Sequence, residues 1–127
     1  MSKRPFVIFG ILAVCLAVGV PAWAFLVDAD EGEGSTGKQL FDTNCGTCHT
    51  LSAAGTDGNF GPNLDTLLSP TGPPTDQSTI DATKQRVLNA IGNGVDSTTT
   101  PGRMPAGILG GEQADEVADF VAHEAGS

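Results

Sequence analysis

Two thiols and an imidazole fall within five residues in the stretch Asn44-Cys45-Gly46-Thr47-Cys48-His49. Thiols two residues apart with a histidine directly after them form a Cys-x-x-Cys-His motif, which reads as a site of covalent haem attachment. Each thiol can bond one vinyl group of the same porphyrin. The imidazole of His49 is then held beneath the iron as its first axial ligand.

The second axial position needs another donor. Met1 is at the wrong end of the chain and His49 is already used, which leaves Met104 and His123. Met104 is the only methionine after Met1, and it lies in a Gly/Pro-flanked stretch without the periodicity of a core stripe. A methionine is usually a core filler, but this setting favours Met104 as a thioether ligand. His123 lies nine residues beyond Ala114. At roughly 100° per residue it points about 180° from the apolar stripe of its helix, toward solvent. A bis-histidine site would require that helix to rotate or unwind. Zinc is a weaker reading, because a structural zinc site wants four ligands and one Cys pair is present here. A dithiol redox pair usually opens a helix after a strand in a βαβ unit, whereas this pair follows a helix.

The elements that position these residues can be read in order. Thr36 and Gln39 stand at capping-box spacing and start a helix that carries Leu40 and Phe41 into the motif. After His49, Leu51 to Phe60 is a loop. In Gly61-Pro62-Asn63-Leu64 the proline fixes the chain and leaves its carbonyl free as an acceptor. Leu64, Leu67 and Leu68 suggest one helical turn, and the proline-rich Ser69 to Thr75 is a surface loop. Ser78 with Asp81 starts another helix. There Ile80, Val87, Leu88 and Ile91 keep a helical rhythm broken only by Lys84, until Gly92 and Gly94 end it. Val95 to Arg103 is a second loop, delivering Met104-Pro105-Ala106. Gly110-Gly111 leads into a last helix whose Ala114, Val117, Ala118, Val121 and Ala125 form a narrow small-residue stripe, with Phe120 at its edge. Small residues permit close packing, so this helix is expected to cross the one bearing Phe41. No strand-like alternation and no internal repeat is found.

Residues 1–27 differ in composition. Lys3 and Arg4 precede an uncharged apolar run of 23 residues, Pro5 to Val27, which spans roughly 34 Å as a helix, enough to cross a bilayer core. Ala22-Trp23-Ala24 also fits a signal-peptide cleavage site. The run continues through Phe25-Leu26-Val27 past that cut, which favours an uncleaved anchor over a signal peptide. Either way the basic end stays cytoplasmic, and everything after Val27 lies on the outer side of the cytoplasmic membrane. Cys15, inside the run, reads as a small membrane-facing side chain. Residues 28–35 (DADEGEGS) form an acidic, glycine-rich linker, and residues 36–127 the folded domain.

All 15 acidic residues come after the apolar run, against Lys38, Lys84, Arg86 and Arg103, a net of −11. That excludes nucleic acid and anionic lipid as partners. It suits plain solubility, or docking on something basic. The domain's only aromatics are Phe41, Phe60 and Phe120. So thin a set of large side chains makes a domain of this size marginal on its own, and a large flat cofactor would complete its core.

Several of these features occur together in a known order: Gly37-x-x-Leu40-Phe41, Cys45-x-x-Cys48-His49, Gly61-Pro62-Asn63-Leu64, Ala90-Ile91-x-x-Gly94 before Met104-Pro105, and a final helix with Phe120. From about Thr36 to Ala125 the chain resembles the small monohaem class I c-type cytochromes. The resemblance implies an all-α fold: a small cytochrome c-like bundle of three to four helices around one covalent haem, here preceded by an N-terminal transmembrane or signal helix. It implies one haem c joined through Cys45 and Cys48, with His49 and Met104 as axial ligands. It also implies that the Pro62 carbonyl accepts the other ring N–H of His49, and that the Phe41 and Phe120 helices cross near a haem edge. The acidic surface departs from the family pattern, so no lysine-ring docking face carries over. Arg103, beside Met104, is a candidate partner for a haem propionate, with plain exposure the expected state.

The function expected is one-electron transfer with redox protein partners, in a membrane-associated respiratory or photosynthetic chain, with residues 5–27 in the membrane. The alternative is a fixed cytochrome c subunit of a larger quinol-oxidising or oxygen-reducing complex. A haem enzyme or gas sensor would need Met104 to leave the iron. No general acid or base is placed by motif near the site, so the chain is not expected to be an enzyme.

Overall fold

The last helix is the hub of the domain, and its narrow stripe explains why. In the computed structural model, which describes residues 32–96 and 102–127, α4 (Gly111–Glu124) buries Ala114, Val117, Ala118, Phe120, Val121 and Ala122. Two helices pack on it: α1 (Gly32–Asn44) and α3 (Gln77–Asn93). The short α2 (Leu64–Leu68) makes four α-helices among the described residues. Gly32–Ser127 forms one compact unit.

The crossing of α1 and α4 is close. A Cβ on Gly37 would lie 2.5 Å from the Glu116 carbonyl oxygen and 2.8 Å from Phe120 Cβ. Beside this point the rings of Phe41 and Phe120 meet tilted, centroids 6.3 Å apart, a favoured aromatic arrangement. Phe41, Leu51, Val117 and Val121 are the largest fully buried side chains. The expected crossing of these two helices is therefore present, and a glycine lets it close.

On α3, Ile80, Thr83 and Ile91 are buried. Lys84, the charged break in the rhythm, reaches across to α4, with Nζ 3.0 Å from Asp115 Oδ2 and 3.1 Å from Asp119 Oδ1. The helix starts earlier than Ser78. Asp76 is the cap: its carboxylate accepts from the Thr79 backbone N–H at 2.9 Å and from Ser78 Oγ at 2.6 Å, and these bonds hold its pKa down to about 2. Gly94 at φ 70° closes the helix, while Gly92 lies within it.

Two other expectations are corrected. The first helix begins at Gly32, so Thr36 and Gln39 lie inside it and Gly32–Ser35 of the linker are helical. The loop after His49 contains a hairpin: β1 (Thr50–Leu51) pairs antiparallel with β2 (Thr56–Asp57) around a 3₁₀ turn, Ser52–Ala54. Two-residue strands are too short to alternate, so no pattern announced them. Among the described residues no helix is long and apolar enough to cross a membrane. The anchor or signal read at residues 1–27 lies outside those residues.

Candidate functional site

The Cys-x-x-Cys-His motif winds directly off the end of α1. The Phe41 carbonyl accepts from both Cys45 N–H and Gly46 N–H, at 2.8 and 2.9 Å, and the Cys45 carbonyl accepts from Cys48 N–H and His49 N–H, at 3.0 and 2.9 Å. Cys45 to His49 thus form one tight turn whose position is set by Phe41, and so by the α1–α4 seam. Both cysteines are half-buried and free. Burial, aided by the neighbouring Cys48, pushes the Cys45 thiol up to about 11. That is the reverse of the lowered pKa of a reactive dithiol.

The segment after the motif folds back to hold the histidine. Thr56 Oγ1 donates to the His49 carbonyl at 3.0 Å, and Gly61 N–H donates to the Cys48 carbonyl at 2.7 Å. Gly61 sits flat against the imidazole, where a Cβ would come within 2.6 Å of Cε1. His49 Nδ1 is 2.9 Å from the Pro62 carbonyl oxygen. The carbonyl can only accept, so Nδ1 carries the proton and Nε2 is left as a free donor for a metal. Lys38 Nζ donates to the Ala54 carbonyl at 2.8 Å, tying α1 to the hairpin turn.

Met104 is held separately. Its N–H and C=O exchange bonds with Val95, both 3.0 Å, and its side chain packs half-buried against the core. Gly107 N–H donates to the Ile91 carbonyl at 2.7 Å, tying the same loop to the end of α3. On its other flank, Gly102 lies against the ring of Phe60, the residue just before Gly61-Pro62. The motif turn, the Pro62 segment and the Met104 segment are therefore linked by contacts. His123 is exposed on α4 and turned back on its own helix, Nδ1 2.9 Å from the Asp119 carbonyl. Arg103 is exposed and paired with Asp96 at 2.8 Å.

The residues present fit a haem and do not fit a bare metal. Among the described residues no group of three or more His, Cys, Asp or Glu side chains converges to hold a metal ion, so the two thiols and His49 are not arranged as a zinc cage. One imidazole, one loop-borne thioether and two free thiols two residues apart match in kind the donors that a covalent haem takes. Large apolar side chains also stand exposed on the two donor-bearing segments, Phe60 beside Gly61-Pro62 and Val95 opposite Met104, where a flat apolar group would cover them.

Four of these contacts were not foreseen from the sequence: the Val95–Met104 bridge, the seat of Phe60 on Gly102, the Lys38–Ala54 tie and the packing of Gly61 on His49. Only the glycines carried any signal, as places where backbone is approached closely.

The family model for cytochrome c matches residues 35–124. Among solved structures, the crystal structure of the c-type cytochrome SorU from Sinorhizobium meliloti is similar, at 32% identity and a TM-score of 0.55, over 76% of this chain and 95% of that chain. No curated protein sequence matches.

Proposed function

The chain belongs to the cytochrome c family, and from that premise we propose that it is a one-electron carrier with one haem c, bonded through Cys45 and Cys48 and ligated by His49 and Met104. Haem c supplies a one-electron ferric–ferrous couple. The observation that carries the ligand reading is the His49 Nδ1 to Pro62 carbonyl approach of 2.9 Å, which puts the ring proton on Nδ1 and leaves Nε2 with its lone pair. Pro62 thereby makes the imidazole a better donor without touching the metal. A Met104 thioether would favour ferrous iron and raise the potential. His49 and Met104 together would hold the iron and leave it no position for a substrate, so we read the protein as a carrier and not an enzyme.

The acidic domain suits brief docking on a basic redox protein rather than on nucleic acid. We place the domain on the outer side of the cytoplasmic membrane, held by residues 5–27, within a respiratory or photosynthetic chain. The charge order supports this: Lys3 and Arg4 lie before the apolar run and every acid after it.

Intact-mass measurement of protein purified from membranes tests attachment and anchor together. The mass expected is the full chain plus one haem. A chain without haem sinks the reading, and a chain shortened after Ala24 sinks the anchor. Met104→Ala is expected to abolish the absorption of thioether-bound ferric iron and to lower the potential. An unchanged spectrum removes Met104 as ligand.

A further inference from the structure

Gly102 lies directly against a ring: a Cβ at this position would overlap Phe60 at Cε1 and Cδ1. The ring can reach it because its own backbone is fixed. Thr50 Oγ1 donates to the Gly58 carbonyl at 2.9 Å on one side. On the other, Gly61 N–H donates to the Cys48 carbonyl at 2.7 Å while Gly61 packs on the His49 imidazole.

Met104, two residues on from Gly102, is held from the opposite flank by its paired bonds to Val95, and a Cβ on Gly94 would lie 2.6 Å from the Met104 carbonyl oxygen. One flank is thus a hydrogen-bonded bridge and the other a ring on a bare Cα.

We infer that Phe60 and Gly102 form a latch that seats the Met104 segment, making Gly102 a positioning residue for the thioether. The inference rests on the proposed ligation by Met104. The path runs without a gap from the His49 ring to Gly61, Phe60, Gly102 and Met104, so one contact couples the segments bearing the two axial donors. Gly102 is part of what covers the Phe60 ring, which is otherwise 51% exposed. A methyl group on Gly102 has to displace either the far edge of that ring or the Met104 segment.

The test uses haem-loaded protein and exogenous imidazole, which binds the ferric iron only when the thioether has left. Its apparent affinity reports the fraction of molecules with Met104 released. Gly102→Ala, a wedge against the ring, is expected to tighten imidazole binding about tenfold. Phe60→Ala, which removes the latch without a wedge, should tighten it about threefold. The double variant should fall back to the Phe60→Ala value, because the added methyl no longer meets a ring. Amide exchange at Met104 and Val95 should follow the same order in the same proteins.

A Gly102→Ala protein with wild-type imidazole affinity and exchange overturns the latch. So does a double variant as perturbed as Gly102→Ala, or a Phe60→Ala protein like wild type. Met104→Ala keeps the two failures apart. If it retains thioether-type absorption, the ligand assignment falls and the positioning role falls with it. If it loses that absorption while Gly102→Ala changes nothing, the ligand stands and only the latch is refuted.

Discussion

Gly37→Ala tests whether the α1–α4 seam is closed by the absence of a side chain. An added Cβ would lie 2.5 Å from the Glu116 carbonyl oxygen, against 3.4 Å for ordinary contact. The shortfall is about 0.9 Å, and the blocking atom is backbone, which cannot swing aside. The helices must part. A gap of that order gives up roughly a quarter to a half of the dispersion attraction along the seam, where Phe41, Val117 and Val121 are almost fully buried. Overpacking of this kind costs about 1–3 kcal/mol. Alanine returns roughly 1 kcal/mol through its better helix propensity. The net expectation is a loss centred near about 1 kcal/mol, within a span of roughly 0–2, and a fall in Tm of roughly 4–8 °C at that centre for a domain of this size. Gly92→Ala is the internal control. It is also helical, but nothing lies within 4 Å of its would-be Cβ, so alanine there should stabilise by about 0.5 kcal/mol. Thermal melts of the two haem-loaded variants should therefore move in opposite directions. If both rise, the close crossing at Gly37 does not constrain the domain and the packing argument fails.

Two further substitutions probe the ties around this seam. Asp65 accepts from Ser52 N–H, Ser52 Oγ and Gly126 N–H at 2.9, 2.8 and 2.8 Å; burial opposes its charge, but the bonds from Gly126 and Ser52 outweigh it and lower the pKa. A lowered folded pKa means the stabilisation is present above the ordinary value of 3.8 and is lost as pH falls through the folded value. Asp65→Asn should thus cost about 1–2 kcal/mol at pH 7, with the gap to wild type shrinking in acid; a gap that widens in acid reverses the sign and refutes the assignment. Lys84→Met removes the ion pairs to Asp115 and Asp119 but restores the apolar rhythm of α3. Urea titrations should show a loss of no more than about 0.5 kcal/mol, smaller in high salt, and a loss above roughly 2 kcal/mol would make the pairs more than a mild surface tie.

How much of this could be read in advance depends on how local the cause is. The helices bearing Phe41, Ile91 and Phe120 were legible because burial on one face imposes a period on the sequence, and the crossing of the first and last followed from the small residues of the last one. Their starts were less so. Thr36 with Gln39, and Ser78 with Asp81, look like caps, yet α1 runs on to Gly32 and the cap of α3 is Asp76, because capping spacings also occur inside helices. The motif and the chain segment bearing Pro62 were legible through the order of short motifs. The hairpin, the Asp65 tie to Gly126 and the seat of Phe60 were not. The hairpin's two-residue strands are too short to alternate; the other two join residues far apart in sequence through one or two atoms, and such contacts leave no periodic trace.

Those unforeseen contacts share a cause with the ones that were foreseen. A domain with three phenylalanines and no larger aromatic has little bulk to fill space, so it gains contact by bringing backbones together instead. Two of the phenylalanines meet a glycine: Phe120 through its Cβ on Gly37 and Phe60 through its ring on Gly102. The third, Phe41, packs on Phe120, and its carbonyl holds the N–H groups that start the Cys45–His49 turn. The small-residue stripe of α4 therefore acts on the site at a distance. It sets how near α1 can come, the nearness of α1 fixes Phe41, and Phe41 fixes where the two thiols and the imidazole point. On this account glycines that seat a ring are intolerant of any side chain, whereas Gly92 and Gly110, with open space around them, are not, although nothing in their sequence neighbourhoods sets the two kinds apart.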